Sequence, residues 1–287
     1  MSDRGTSESA VTEIPLANAA TSGLPDHGGP LIVQRDGRGV YRLTMNRPVN
    51  FNALSEDMLA ALLQALRQVA ADEQARVVIL GAVGKAFSPG HDLKEMTAHP
   101  SLAFYQKLFG LCNQVMLGLQ KLPVPVIARV QGVATAAGCQ LVAQSDLALA
   151  SEDARFATGG IKLGLFCSTP SVPLLRNILA KHAMEMLLTG DFISAAQAAE
   201  RGLINRALPA AALDEAIEEL VCSILAKPRH AVAVGKALFY QQREIGVEAA
   251  YQLASQTMAL NMMDPEAQEG VLAFTQKRPP SWSGGKE

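Results

Sequence analysis

Residues 124–140 read VPVIARVQGVATAAGCQ, an apolar run that passes into small residues and two glycines. Pro123 precedes the run Val124 to Val130, and Pro125 lies within it. The run predicts a strand buried in a sheet. Gly132 and Gly138 then bound a tight connection into a short helix. Backbone N–H groups at such a turn are free to stabilise an anion. This stretch therefore predicts an α/β fold in which the amides at the turn can stabilise an anion.

A second glycine loop has the same organisation. The run Val77 to Leu80 predicts another buried strand, and residues 85–95, KAFSPGHDLKE, follow it around Gly90. Two amides that converge on one oxygen would form an oxyanion hole, although either loop alone is also an ordinary exit from a strand. Neither the phosphate-binding pattern GxxxxGK[ST] nor the dinucleotide-binding pattern GxGxxG occurs in the chain.

The segments around these loops indicate an α/β core. Leu31 to Gln34 and Val40 to Met45 predict two strands joined by a turn at Asp36-Gly37. Ser55 is expected to cap a helix with apolar residues at helical spacing, and Leu102 to Leu119 predicts a second long helix. Strands and helices therefore alternate, as in an α/β fold built from β-β-α units.

The pattern divides the chain into three parts. Residues 1–30 are mostly small or polar and predict a disordered tail. Residues 31–205 carry the alternating strands and helices, whereas residues 206–287 show mainly helical patterns. We therefore expect an α/β core at 31–205 and a C-terminal helical lobe at 206–287.

Composition limits the partners and the compartment. With 25 basic and 27 acidic residues, the chain offers no electrostatic footprint for nucleic acid or an anionic membrane. No apolar run reaches the roughly 18 residues of a membrane span. The four cysteines and five histidines show no metal-ligand spacing, so no metal site is expected. Free cysteines, with no secretory h-region or arginine-rich presequence, predict a cytoplasmic protein.

Five motifs follow one another along the chain, at Asn46 to Leu54, Phe87 to Glu95, Val124 to Asp146, Arg201 to Ile204 and Glu269 to Arg278. Taken together they resemble one known family, the crotonase or enoyl-CoA hydratase/isomerase superfamily. The stretch GLFCSTP at 164–170, with Gly90-His91-Asp92, is similar to the subgroup of enoyl-CoA hydratase domain-containing protein 3. The resemblance covers about residues 31–282. It implies a crotonase-type spiral of β-β-α units with a C-terminal helical lobe that trimerises.

The resemblance also implies a site for the coenzyme A thioester of an acyl group, in fatty acid metabolism. In this family two backbone amides, which correspond to His91 and Ala137, donate to the thioester oxygen. Positions that match Lys94, Phe274 and Lys277 bind the nucleotide end of coenzyme A, often with the last two from a neighbouring subunit. Lys94 could equally be a charged loop residue that only contacts solvent. Coenzyme A is part of the substrate, so no separate cofactor is expected, and the implied assembly is a homotrimer or hexamer.

The departures from the family bear on the reaction. Enoyl-CoA hydratases use two glutamates, one to activate water and one to protonate the α-carbon. The resemblance places these positions at Gln140, whose amide cannot ionise, and at Gly160, which has no side chain. Isomerases keep the second carboxylate and fit no better. As a lyase of the hydratase type the protein is therefore expected to be slow or inactive.

Other side chains are candidates for acid–base chemistry. His91 is a candidate because an imidazole ordinarily titrates near neutral pH, but its ring could instead point away from the pocket while its amide serves the oxyanion. Cys167 either faces the pocket or is a small buried hydrophobe. Asp92 is expected to cap the next helix, with Glu95 in its first turn. Three hypotheses remain: enolate chemistry with a relocated acid/base or none, residual hydratase activity, and non-catalytic binding or regulation.

Overall fold

The computed structural model describes residues 12–13 and 28–283 and contains two sheets. The strands are β1 (Thr12–Glu13), β2 (Leu31–Arg35), β3 (Val40–Met45), β4 (Val77–Ala82), β5 (Ala86–Ser88), β6 (Val126–Val130), β7 (Val133–Thr135), β8 (Leu147–Ser151), β9 (Arg155–Ala157), β10 (Ile193–Ser194) and β11 (Arg206–Leu208). The predicted tail, residues 1–30, lies outside the described residues except for β1 and residues 28–30, so its disorder stays a prediction.

Eleven α-helices of the described residues accompany the sheets. They are α1 (Glu56–Ala71), α2 (Leu93–Ala98), α3 (Leu102–Lys121), α4 (Ala137–Gln144), α5 (Ser168–Asn177), α6 (Ala180–Thr189), α7 (Ala195–Glu200), α8 (Leu213–Leu225), α9 (Arg229–Gln242), α10 (Val247–Met262) and α11 (Pro265–Thr275). Short 3-10 helices occur at Pro48–Asn50, Gly159–Leu163, Ala210–Ala212 and Ser281–Ser283. None of the described helices is both long and apolar enough to cross a bilayer.

The strand order confirms the predicted β-β-α units. The larger sheet runs β1-β2-β3-β4-β6-β8-β11, and the smaller sheet runs β10-β9-β7-β5. In the pairs β4–β5, β6–β7 and β8–β9 the first strand joins the larger sheet and the second joins the smaller one, whereas β2 and β3 both lie in the larger sheet. From β3 to β11 the larger sheet is parallel, as are β5, β7 and β9. The carboxyl ends of these short strands therefore lie close together.

The centre of the larger sheet is buried on both faces, which explains the continuous apolar run of β4 and the largely apolar run of β6. Val78 and Leu80 of β4 belong to the main core with α1 and α3. Val77 and Ile79 instead pack in a second cluster with residues of α8. Because β11 pairs with β8 and α8 covers the sheet, the α/β core extends beyond the predicted boundary at residue 205.

Helices α9 to α11 form a C-terminal lobe anchored by an ion pair that is largely buried. Nζ of Lys236 in α9 donates to Oδ2 of Asp146 at 2.6 Å and to the carbonyl oxygens of Leu119 and Val124 at 2.9 Å. The hydroxyl of Tyr240 donates to the other Asp146 oxygen at 2.8 Å. A single ammonium group thus connects the lobe to the loop before β6 and to the end of α3.

Candidate functional site

The two glycine loops of the sequence meet at the ends of β5 and β7. A Cβ at Gly90 would lie 3.0 Å from the amide nitrogen of Ala137, and Gly90 has φ +99°. A Cβ at Gly138 would lie 2.1 Å from the carbonyl oxygen of Ser88. Only glycine permits this approach, because any side chain would force the backbones apart. The loop before α2 therefore lies directly against the start of α4.

The amides of His91 and Ala137 are free at this junction. Leu54 and His91 form an isolated parallel bridge, in which Leu54 N–H donates to Gly90 O at 2.8 Å and Asp92 N–H donates to Leu54 O at 3.4 Å. The Gly90 carbonyl and the Asp92 amide, on either side of His91, make these bonds, which leaves the His91 N–H on the side away from Leu54. Ala137 is the first residue of α4, where amides have no intrahelical acceptor. Neither amide has an acceptor within the described part of the chain.

A strained residue holds the start of α4 in place. Ala136 has φ 50° and ψ −121°, and its N–H donates to Ala157 O at 3.0 Å. This region of backbone conformation costs a residue with a side chain about 1–3 kcal/mol, and such strain concentrates at functional sites. The strain sets the direction of the next amide, that of Ala137.

A cavity of about 760 Å³ opens in front of the two loops, with a largely apolar wall. Its larger apolar side chains include Phe51, Phe109, Leu163, Leu165, Phe166 and Phe192. The charged residues of the wall are Asp92, Lys94 and Lys162. As predicted, Asp92 caps α2, where it accepts from the Lys94 and Glu95 amides. Lys162 is paired with Asp191 at 2.7 Å.

The His91 ring lies in the wall of this cavity. Its Nδ1 is 3.3 Å from Leu54 O, and its ring meets Phe109 edge-on with centroids 5.2 Å apart. Because a carbonyl oxygen only accepts, Nδ1 carries the proton and Nε2 presents a lone pair. Burial lowers the pKa of His91, against a smaller opposing effect of the bond to Leu54. The ring is therefore neutral at pH 7, and Nε2 is buried without a partner among the described residues.

The two positions assigned to hydratase glutamates differ in their surroundings. Gln140 lies one helical turn after Ala137, is 3% exposed, and does not belong to the cavity wall. Gly160 does belong to the wall. A Cβ at Gly160 would lie 2.5 Å from the carbonyl oxygen of Leu165 and 2.8 Å from Sγ of Cys167. The chain leaves no room for a side chain at position 160 unless residues 165–167 shift.

Cys167 both lines the cavity and is buried in the core, the two alternatives that the sequence left open. It is only 6% exposed and belongs to the main core, yet it also lines the cavity. Burial raises the pKa of its thiol, and a hydrogen bond from the Gly160 amide opposes this rise. A neutral thiol therefore fills the space beside Gly160. No group of three or more His, Cys, Asp or Glu in the described ranges could hold a metal ion.

The residues predicted to bind the nucleotide of coenzyme A are separated. Lys94, in the first turn of α2, lines the cavity. Phe274, near the end of α11, is 85% exposed, and Lys277 follows that helix; neither belongs to the cavity wall. The structure brings Lys94 to the site of its own chain and leaves the other two outside it. Their assignment to nucleotide binding stays a prediction.

Sequence patterns did not reveal two features of the site. The contact between His91 and Phe109 joins a loop to the middle of α3, and helical spacing cannot show which loop a helix face meets. The crowding of Gly160 by Leu165 depends on the path of the segment after residue 164. A signal for it was present in Gly164, which has φ +79° and turns the chain back over the cavity.

Comparison with known proteins identifies the family. The chain matches the sequence model of the enoyl-CoA hydratase/isomerase family over residues 35–285. It is 43% identical over 259 residues to the rat (Rattus norvegicus) protein called enoyl-CoA hydratase domain-containing protein 3, mitochondrial, covering 90% of this chain and 86% of the relative. The human (Homo sapiens) protein of that name is 43% identical over 245 residues, covering 85% and 81%.

Solved structures agree with this match. An enoyl-CoA hydratase from Mycobacterium smegmatis superposes with a TM-score of 0.87 at 60% identity, covering 88% of this chain and 98% of the other. Human enoyl-CoA hydratase domain-containing protein 3 superposes with a TM-score of 0.85 at 42% identity, covering 88% and 100%. The resemblance to this subgroup is thereby confirmed.

The relatives also correct one prediction. The rat, Xenopus laevis and human proteins are named mitochondrial, so the prediction of a cytoplasmic location is wrong. Free cysteines indicate a reducing compartment, and they cannot distinguish one reducing compartment from another.

On the match of sequence and fold together, the chain belongs to the enoyl-CoA hydratase/isomerase family, the crotonase superfamily.

Proposed function

We propose that this protein binds acyl-CoA thioesters and polarises the thioester carbonyl with the amides of His91 and Ala137. The observation that carries the proposal is the contact between Gly90 and the Ala137 amide, which brings two unpaired N–H groups to one edge of an apolar cavity. Donors fixed in this way stabilise the negative charge of a thioester enolate without reorganisation.

The proposed chemistry does not include efficient hydration of an enoyl thioester. Gln140 cannot act as a general base, and Gly160 has no carboxylate. Loss of one general acid or base typically lowers a rate about 10²–10⁴-fold. An enzyme of this kind would therefore stabilise an enolate in a lyase or isomerase reaction with a different acid–base group, or with none.

A non-catalytic binder or regulator of acyl-CoA is the second candidate. It is favoured by the packing of Leu165 O and Cys167 Sγ into the space beside Gly160, because this packing removes the room for a catalytic carboxylate. Turnover of any member of an acyl-CoA panel would select the enzyme. Binding of the panel without turnover would select the binder.

The proposed assembly is a homotrimer or a hexamer formed by two trimers. Helices α9 and α10 have no fully buried residue within the chain, although the side chain of Lys236 is largely covered, and α11 fully buries only Ala273. Large apolar side chains of this lobe are exposed, among them Tyr251, Met258 and Met263. Burial of these faces against neighbouring copies would stabilise the assembly, since apolar area removed from water contributes about 25 cal/mol per Å².

Calorimetric titration tests the proposed function. Acyl-CoA should bind more tightly than the free acid or an acyl-pantetheine that lacks the nucleotide, because Lys94 lies at the cavity. Absence of binding heat with several acyl-CoAs at millimolar concentration would overturn the proposal.

A further inference from the structure

Helix α2 forms one side of the cavity. Leu93, Lys94 and Met96 of this helix belong to the cavity wall. None of the six described residues of α2 is fully buried, and of these six it is Met96 that packs, partly buried, against the main core. A segment with few buried apolar contacts opens at a low cost in free energy. The position of this wall therefore depends on the polar contacts of α2.

Among the described residues, two hydrogen bonds join α2 itself to other helices. Oε2 of Glu95 accepts from the amide of Glu56 at 3.1 Å. The hydroxyl of Tyr105, in the helix that follows α2 in the chain, donates to the carbonyl oxygen of Met96 at 3.2 Å. Glu56 is the first residue of α1, whose buried face belongs to the main core. The Glu95 bond is therefore the one of the two that joins α2 to a firmly packed element distant in sequence.

The charges around the Glu95 carboxylate act in both directions. It lies at the N-terminus of α1, where the helix stabilises negative charge. The carboxylates of Glu56, Asp57 and Asp92 repel it. The cation that faces this group from α3 is Lys107, which is 70% exposed and pairs with Glu56 at 2.7 Å. The contact therefore holds α2 in place against repulsion from its own surroundings.

Ionisation of Glu95 weakens the same contact. Burial raises the pKa of Glu95 above its ordinary 4.5, the hydrogen bond from the Glu56 amide opposes this rise, and the nearby carboxylates add to it. A carboxyl of this kind favours the observed position of α2 fully below pH 4.5 and loses that advantage as the pH rises through the raised pKa. At neutral pH the ionised carboxylate therefore holds α2 less firmly than a neutral side chain with the same acceptor would.

We infer that α2 is a movable flap on one side of the cavity and that Glu95 is its latch, a positioning residue that holds the flap to the N-terminus of α1. Glu95 does not itself belong to the cavity wall. Release of the latch moves Leu93 and Lys94 away from the cavity and widens the entrance on that side. The flap follows from the contacts of α2 alone, whereas its effect on ligand entry rests on the proposed function.

Two substitutions of Glu95 should change the flap in opposite directions, as measured by amide hydrogen exchange at pH 7.5. Glu95→Ala removes the acceptor, so exchange in the peptide that contains residues 93–98 should become roughly three- to tenfold faster, the equivalent of one hydrogen bond. Glu95→Gln keeps an acceptor oxygen and removes the charge, so exchange there should become slower than in the wild type. The control Glu73→Gln makes the same charge change at an exposed position and should leave exchange in this peptide unchanged.

Surface plasmon resonance with hexanoyl-CoA tests the effect on ligand entry. Glu95→Ala should raise the association rate constant and Glu95→Gln should lower it, whereas a general loss of structure would not speed association. Exchange that is unchanged in both variants, or changed in the same direction, would overturn the latch. Opposite changes in exchange with an unaltered association rate constant would overturn the role of the flap in ligand entry. If no protein, wild type included, binds hexanoyl-CoA, the proposed function is overturned, and the exchange measurement still decides the latch.

Discussion

Replacement of Gly138 by alanine should separate the two loops that supply the amides of His91 and Ala137. A Cβ at position 138 would lie 2.1 Å from the carbonyl oxygen of Ser88, whereas ordinary contact begins at 3.4 Å. The loops must therefore move apart by about 1.3 Å, the difference between these two distances. Overpacking of this kind lowers the free energy of unfolding by about 1–3 kcal/mol.

The same movement displaces the Ala137 amide from the thioester oxygen. Loss of one neutral hydrogen bond costs about 0.5–1.5 kcal/mol, so the Kd for hexanoyl-CoA should rise roughly three- to tenfold. Calorimetric titration measures this Kd, and urea unfolding measures the change in stability. A Gly138→Ala protein with both quantities at their wild-type values would refute the reasoning.

Gly110→Ala is the matched control. It makes the same chemical change within α3, where a Cβ meets no atom within 4 Å. Alanine is favoured over glycine in a helix interior by up to about 1 kcal/mol. This variant should therefore be slightly more stable than the wild type, and it should bind hexanoyl-CoA with an unchanged Kd.

Four further predictions concern stability, ionisation, the second glutamate position and assembly. Lys236→Met should lower the unfolding free energy by about 3 kcal/mol in urea titrations, because it leaves the Asp146 carboxylate buried without its cation. The pKa of His91 in the folded protein lies below its ordinary 6.5, so as the pH falls below 6.5 the unfolded chain binds a proton at His91 more readily than the folded protein does. Thermal melts should therefore show that the protein loses stability below pH 6.5, and His91→Asn should lose less. Gly160→Ala should destabilise the protein through its contact with Leu165 O, so Gln140→Glu combined with Gly160→Glu should not restore efficient hydration. Sedimentation should show a trimer or hexamer at micromolar concentration; a monomer alone would contradict the proposed assembly.

Much of the secondary structure could be predicted because its signals are local. The helix predicted at Leu102 to Leu119 is α3, which begins at Leu102 and extends to Lys121. Ser55 caps α1 by accepting from the Met58 amide, as its place before an amphipathic run predicted. Caps and apolar spacing act within one or two turns, and the sequence shows them directly.

The smaller sheet was beyond sequence reasoning. Its strands β5, β7 and β9 have three residues each, too few to display an alternating pattern. Their partners lie more than 20 residues away, so the pairing depends on the completed fold. The positions of Gly90 and Gly138 could be predicted as turns, but their contacts with Ala137 and Ser88 required the structure.

The neighbourhood of the candidate site was predictable only in part. A family resemblance assigned the His91 and Ala137 amides, and the geometry supports that assignment without testing it. The lone pair on His91 Nε2 follows from Leu54 O, which is distant in sequence. The absence of a side chain at Gly160 was visible in the sequence, whereas the occupation of its space by Leu165 and Cys167 was not.

The central claim is that the protein polarises an acyl-CoA thioester but lacks the carboxylates for hydration. One absorbance measurement, in which an excess of protein is mixed with crotonyl-CoA, tests both parts. The account predicts an immediate red shift of the enoyl-thioester band that persists, because the two amides withdraw charge toward the carbonyl oxygen. Rapid loss of the band would show that the enoyl group is hydrated, and an unshifted band would show that the amides do not hold the thioester; either result would contradict the account.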